Sequence, residues 1–226
     1  LVFDPARAAE VTFQPIRRYG FDAAILFSDI LVMPYWLGQE VRFEEGNGPV
    51  LASLDETTGP LVTGVYDGLS HGARPVDLVY ETVDRLKTGL PAETTLIGFA
   101  GAPWTVASYM FEGRGSRDFI HAKGAALSNS DRFRAVMSVL TEGTIEYLNG
   151  QIAAGAEVVQ VFESHAGVVP ATHVDAVVIE PMRRIVEGVR ARNPDIPIIG
   201  FPRGAGSWLG RYCERTGVDA VSLDSA

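Results

Sequence analysis

Apolar residues in this chain fall into short, mostly apolar runs, whose only polar members are Gln160 and Ser222, separated by longer segments in which they recur every three or four positions. The runs cover 23–27, 96–99, 158–162, 198–201 and 220–223. A nearly continuous apolar run of this length marks a strand buried on both faces, as in a parallel sheet. Helical spacing is clearest over 131–154, where Phe133, Val136, Met137, Leu140, Ile145, Leu148 and Ile152 share one face and Gly155 supplies the stop. Helices are also predicted over 172–192, split or kinked by Pro181, and over 207–216, closed by Gly217. At the start, Asp4 is placed to cap a helix opening on Pro5, with Ala8, Val11 and Phe13 on its apolar face, Pro15 interrupting it and Gly20 ending it. Between 34 and 90, Gly, Pro and scattered charges blur the pattern, and 79–86 is the best helical stretch there.

Strand then helix, repeated, implies α/β architecture with a parallel sheet, either a closed (β/α)8 TIM-like barrel or an open doubly wound sheet. Reactive or conformationally special residues follow each run: Asp29 the first, Gly101 to Trp104 the second, Glu163-Ser164-His165 the third, Arg203-Gly204 the fourth and Asp224 the fifth. In a barrel these ends ring one mouth, which favours the barrel. A full barrel needs eight strands and about 250 residues. Five strong strands therefore predict a single barrel domain over 1–226, incomplete in this chain.

Asp29 is the sharpest point of chemistry, an anion just beyond a buried strand. Two readings stay open from the residues alone, a cap on the following turn or helix and a site carboxylate at the mouth.

Composition narrows the classes. The 226 residues carry 46% hydrophobic side chains, enough for a sizeable core. No apolar run approaches the roughly 20 residues that span a bilayer, and the first residues lack signal-peptide order, so neither membrane nor export is expected. A formal net charge of −9 argues against nucleic-acid binding. The one cysteine, Cys213, excludes an internal disulfide and suits a reducing cytoplasm. The only lysines are Lys87 and Lys123, neither after an apolar strand, which leaves little room for Schiff-base or phosphate-loop chemistry.

Other constellations are weaker. His71, His121, His165, His173 and Cys213 show no metal-ligand spacing. Ser164 and His165 are adjacent, so in extended backbone they face opposite ways, and no nucleophile elbow surrounds the serine. Glu163 and Asp29 could pair for acid/base work, or Glu163 could simply meet an arginine. Tyr109, on the first turns of a helix after Trp104, could aim its phenol at the mouth or serve as a core tyrosine. Among Arg17, Arg18, Arg114, Arg117 and Arg203, strand-end position singles out Arg203 for the mouth.

Phe27-Ser28-Asp29-Ile30-Leu31, the stretch from Leu96 through Gly101-Ala102-Pro103-Trp104 to Thr105, Ser108-Tyr109-Met110-Phe111-Glu112-Gly113 and Phe162-Glu163-Ser164-His165-Ala166-Gly167 together closely resemble the uroporphyrinogen decarboxylase family. The likeness also covers Gln14-Pro15-Ile16-Arg17-Arg18 and 217–224, so it runs over essentially the whole chain. It implies a distorted (β/α)8 barrel, a homodimer, and removal of CO₂ from the four acetate arms of uroporphyrinogen III to give coproporphyrinogen III in haem synthesis, with no metal or organic cofactor. By matching motif it implies catalytic roles for Asp29, Tyr109 and Ser164; beside them, Phe27, Ile30, Phe99, Phe162 and Arg203, at or next to the strand ends, are expected to bind substrate. Hydrogen bonds, from Tyr109 among others, would be needed to hold Asp29 ionised against desolvation.

Two family features have no counterpart here, an N-terminal arginine-rich stretch and a C-terminal strand ending in Gly-His-Gly. The resemblance leaves two alternatives, a corrinoid-dependent methyltransferase of the same superfamily and a barrel that binds tetrapyrroles without turning them over.

Overall fold

A computed structural model describes residues 1–44, 46, 48–52, 54 and 74–224. His71 lies outside them.

The first helix, α1 (Pro5–Tyr19), starts where the Asp4 side chain accepts from the backbone N–H of Arg7 and stops at Gly20 in the left-handed conformation. Pro15 lies inside it without breaking it. The predicted interruption is thus a correction: a proline removes one donor, and here the helix is retained by packing Ala8, Ala9, Thr12 and Ile16 into the interior. Strand β1 (Ala23–Ile25) is shorter than its apolar run, and a short helix α2 (Val32–Trp36) follows it. A hairpin of β2 (Val41–Glu44) and β3 (Gly48–Leu51), not predicted from the sequence, precedes helix α3 (Pro75–Gly89).

Beyond it come β4 (Thr95–Gly101), α4 (Pro103–Glu112), α5 (Ile120–Ser128), the long helix α6 (Asp131–Ala154) and β5 (Val158–Glu163). The α6 bounds are those predicted, with Ser130 capping the start and Gly155 at positive φ the end. The segment around Pro181 is continuous but changes register: a π-helical turn at Asp175–Ile179 runs into α7 (Glu180–Arg190). Proline has no N–H to offer the preceding turn, and the shifted ladder accommodates that loss. Strand β6 (Ile198–Pro202), helix α8 (Leu209–Thr216) and a two-residue β7 (Ala220–Val221) complete the order, so the fifth strand is half its predicted length.

The five strands predicted from apolar runs form one parallel sheet in the order β1-β4-β5-β6-β7. Strand order follows chain order with no reversal, which is the winding of a (β/α)8 barrel; a doubly wound sheet would switch direction part-way. Side chains alternate strictly. Leu96, Ala100, Val159, Val161 and Ile198 are buried under the helices. Phe99, Phe162 and Phe201 stand on the other, inward face as an edge-to-face row, with ring centroids 5.5 and 5.8 Å apart.

Candidate active site

Strand β1 pairs with β4 only as far as Ile25 against Ile97, plus one further bond from Leu26 N–H to the Ile97 carbonyl at 2.9 Å. The chain then peels away. The backbone groups of Phe99 that would have met β1 are taken instead by Gln151 of α6. This departure opens a cavity of about 490 Å³ whose lining includes Phe27, Ser28, Ile30, Phe99, Phe162 and Ser164. Five residues assigned from sequence thus meet in one apolar recess. Gly101 permits the close approach of the β1 loop, since a Cβ there would lie 2.8 Å from the Cβ of Ile30.

Asp29 faces an adjoining cavity of about 320 Å³, with Phe3, Val32, Tyr35, Val41 and Phe43 among its walls. Its Oδ1 accepts the Leu31 N–H at 2.8 Å, one residue before α2, so the turn-capping reading is realised. Oδ2 has no hydrogen-bond partner among the described residues and is open to a ligand. Burial raises the Asp29 pKa above the usual carboxylate value, and the Leu31 amide opposes it only in part. Of the hydrogen bonds expected to oppose desolvation, the Leu31 amide supplies one, and the suggested bond from Tyr109 is corrected: Tyr109 makes no hydrogen bond to Asp29. The two are nonetheless in electrostatic reach, for burial first and the Asp29 charge second push the Tyr109 phenol pKa upward. Beneath Asp29, Ser28 Oγ lies 3.2 Å from the hydroxyl of the buried Tyr147.

Glu163 takes neither of the two partners left open for it, Asp29 or an arginine. Strand alternation sends Phe162 and Ser164 inward and Glu163 toward the helices, where it is 2% exposed. There the Thr105 hydroxyl donates to its carboxylate, and the backbone amides of Thr105 and Trp104, in the first turn of α4, face it. Burial outweighs these bonds and pushes its pKa up to about 8, so it is largely protonated at neutral pH.

His165 does not pair with Ser164. Its Nδ1 lies 2.6 Å from Ser108 Oγ, a residue whose partnership the sequence reading missed. The signal was there: Thr105 and Ser108 are polar residues three apart in a helix whose other side chains before Glu112 are apolar or aromatic, so they share the face turned to β5. Arg203 is exposed at the end of β6, its backbone N–H bonded to the Glu163 carbonyl at 3.1 Å, and its charge reaches the His165 ring. Neither Arg203 nor Tyr109 lines either cavity. Among the described residues, no three His, Cys, Asp or Glu side chains converge as a metal site, and no helix is long and apolar enough to cross a membrane.

Comparison with known proteins adds the following. The family model "Uroporphyrinogen decarboxylase (URO-D)" matches residues 1–226. A uroporphyrinogen decarboxylase of Sphingopyxis alaskensis is 50% identical over 224 residues, covering 99% of this chain and 64% of that protein. Those of Roseobacter denitrificans and Rhodospirillum rubrum are 48% and 49% identical, covering all of this chain and 65% and 64% of theirs. The chain thus spans just under two thirds of the length of these curated relatives. A solved structure, a methyltransferase from Methanosarcina mazei, superposes with a TM-score of 0.69 at 14% identity over 98% of this chain and 70% of that one, a likeness of fold alone.

Proposed function

As the chain belongs to the uroporphyrinogen decarboxylase family, we propose that it acts in cofactor-independent removal of CO₂ from the four acetate arms of uroporphyrinogen III, yielding coproporphyrinogen III. The observation that carries this reading is the open Oδ2 of Asp29, set beside an apolar recess at the carboxyl end of β1.

Each pyrrole of the substrate offers an N–H donor, and Asp29 has an unfilled acceptor in a site of low dielectric. Protonation of a ring carbon beside an acetate arm makes an iminium-like cation. The bond from the methylene to the carboxylate then breaks, CO₂ departs, and its electron pair neutralises the cation as an exocyclic methylene. A proton taken up at that methylene and one lost from the ring carbon leave a methyl group, for a net uptake of one proton. Asp29 stabilises the cation electrostatically, an interaction stronger in the charged intermediate than in the ground state. Burial alone disfavours the ionised carboxylate; the substrate N–H groups supply the bonds the empty site withholds, so binding itself favours ionisation of Asp29. Phe27, Ile30, Phe99 and Phe162 exclude water, and Ser164 contacts a substrate carboxylate or neighbouring pyrrole. Arg203, exposed and in no ion pair among the described residues, offers a guanidinium to a substrate carboxylate.

The working form is a homodimer in the cytoplasm. The family resemblance supports the first, and the unpaired thiol of Cys213 fits the second.

The protein is given uroporphyrinogen III under anaerobic conditions and the products are oxidised and separated by carboxylate number. Species with seven, six, five and four carboxylates are expected; unchanged eight-carboxylate substrate at enzyme-level concentrations overturns the reading. Light scattering at assay concentration checks the dimer.

A further inference from the structure

Three hydrogen bonds tie the segment after β5 to α4, and the proposed chemistry uses none of them. Trp104 Nε1 donates to the His165 carbonyl at 2.9 Å, the His165 N–H donates to Thr105 Oγ1 at 3.2 Å, and His165 Nδ1 meets Ser108 Oγ at 2.6 Å. Ser108 has no solvent exposure, and its hydroxyl donates to the Thr105 carbonyl at 2.7 Å. A hydroxyl has one proton. With that proton given to Thr105, Ser108 can only accept from His165, so the imidazole carries its proton on Nδ1 and leaves Nε2 a lone pair.

The ring so fixed is half-buried between two aromatic side chains. Its centroid lies 5.2 Å from that of Tyr109, tilted by 38°, and 4.6 Å from that of Phe119. The Tyr109 phenol has no hydrogen bond among the described residues, so its ring direction rests on packing. Burial and then the Arg203 charge push the His165 pKa down to about 4, which leaves the imidazole neutral in the physiological range. A charged imidazolium would have to give up either its packing or its place beside Arg203.

We propose that His165, locked by Ser108, is a positioning residue that sets the direction of the Tyr109 phenol. The inference rests on the decarboxylase reading for its consequence in turnover. Its structural content, a fixed tautomer and a fixed ring packed on Tyr109, does not.

The experiment is a double-mutant cycle on the full chain together with nitrogen-detected NMR of the histidines. Ser108→Ala leaves the imidazole present but free to rotate. It should lower kcat on uroporphyrinogen III roughly ten- to a hundredfold, the scale of a misplaced group, with KM little changed. In a Tyr109→Phe background the same substitution should cost almost nothing, because the effect passes through the phenol. In the wild type, NMR should show a protonated Nδ1 and an unprotonated Nε2, with ring-to-ring contacts to Tyr109. In Ser108→Ala the tautomers should mix and those contacts weaken. Additive losses in the cycle, or unaltered tautomer and ring contacts in Ser108→Ala, overturn the proposal. If that variant does not fold, His165→Phe carries the same cycle, keeping a ring and removing the donor. If the wild type fails to turn over the substrate, the decarboxylase reading falls and the NMR result alone decides the positioning claim.

Discussion

The side-chain amide of Gln151 hydrogen-bonds both backbone groups of Phe99, its Oε1 accepting the N–H and its Nε2 donating to the carbonyl, each at 2.8 Å. A helix side chain thus takes the place of a missing neighbour strand, where β1 leaves β4 to form the recess. Gln151 has no solvent exposure. Replacing it with Leu keeps the bulk and strands two buried backbone groups, at about 1–3 kcal/mol each. Gln151→Leu should therefore lower unfolding free energy in urea by about 2–6 kcal/mol; a loss under about 1 kcal/mol would mean that water reaches Phe99.

Asp29→Asn should separate the two jobs of that carboxylate. An amide oxygen can still accept the Leu31 N–H, so the turn into α2 survives and the melting temperature should move little. The negative charge at Oδ2 is gone, and turnover should fall about 10²–10³-fold, the cost of losing one preorganised electrostatic group. Near-normal turnover with an intact circular dichroism spectrum would remove Asp29 from the chemistry.

Glu163 should impose a pH slope on stability. Its folded-state pKa of about 8 lies above the ordinary glutamate value of 4.5. Between those values the folded chain holds a proton that the unfolded chain has released, so stability falls as pH rises through the window and levels off above it. Glu163→Gln should flatten that part of the curve, and the difference across the window should be of the order of a few kcal/mol. Parallel stability profiles for the two proteins from pH 5 to 8 would show that Glu163 is not neutral in the fold.

Gly101 has no room for a side chain. An added Cβ would come within 2.8 Å of both Ile30 Cβ and Val106 Cγ2, branched side chains with little rotamer freedom. Gly101→Ala should cost about 1–3 kcal/mol as overpacking. Since Ile30 directly follows Asp29, turnover should drop beyond what lost stability explains. Measuring both at a temperature where the variant is fully folded distinguishes displacement of the site from simple destabilisation.

Much of the architecture was legible before any coordinates. Short, mostly apolar runs located all five strands of the parallel sheet, because a strand covered on both faces carries few polar side chains; Gln160 and Ser222, the exceptions, hydrogen-bond each other at 2.9 Å. Glycines located the ends of α1, α6 and α8, because Gly20, Gly155 and Gly217 each adopt a positive φ that other residues resist. Of the eight site residues expected from sequence, Phe27, Ile30, Phe99, Phe162 and Ser164 line one recess, Asp29 lines another cavity, and Tyr109 and Arg203 line neither. The hairpin of β2 and β3 was not read from the sequence: Val41-Arg42-Phe43-Glu44 alternates over only four residues, and Gly48-Pro49-Val50-Leu51 does not alternate.

Local chemistry in the chain thus determined which segments become strands and helices and which reactive residues stand at the strand ends. Tertiary structure alone decided which of those residues look inward. Glu163 and Ser164 are neighbours, yet alternation about β5 buries the acid under α4 and turns the serine to the recess. Ser108 and His165 are 57 positions apart and meet only because α4 packs on the end of β5. Asp29 both caps a turn and keeps an open oxygen because β1 stops pairing after Leu26. That departure depends on Gln151, far along the chain, to satisfy what the strand leaves behind.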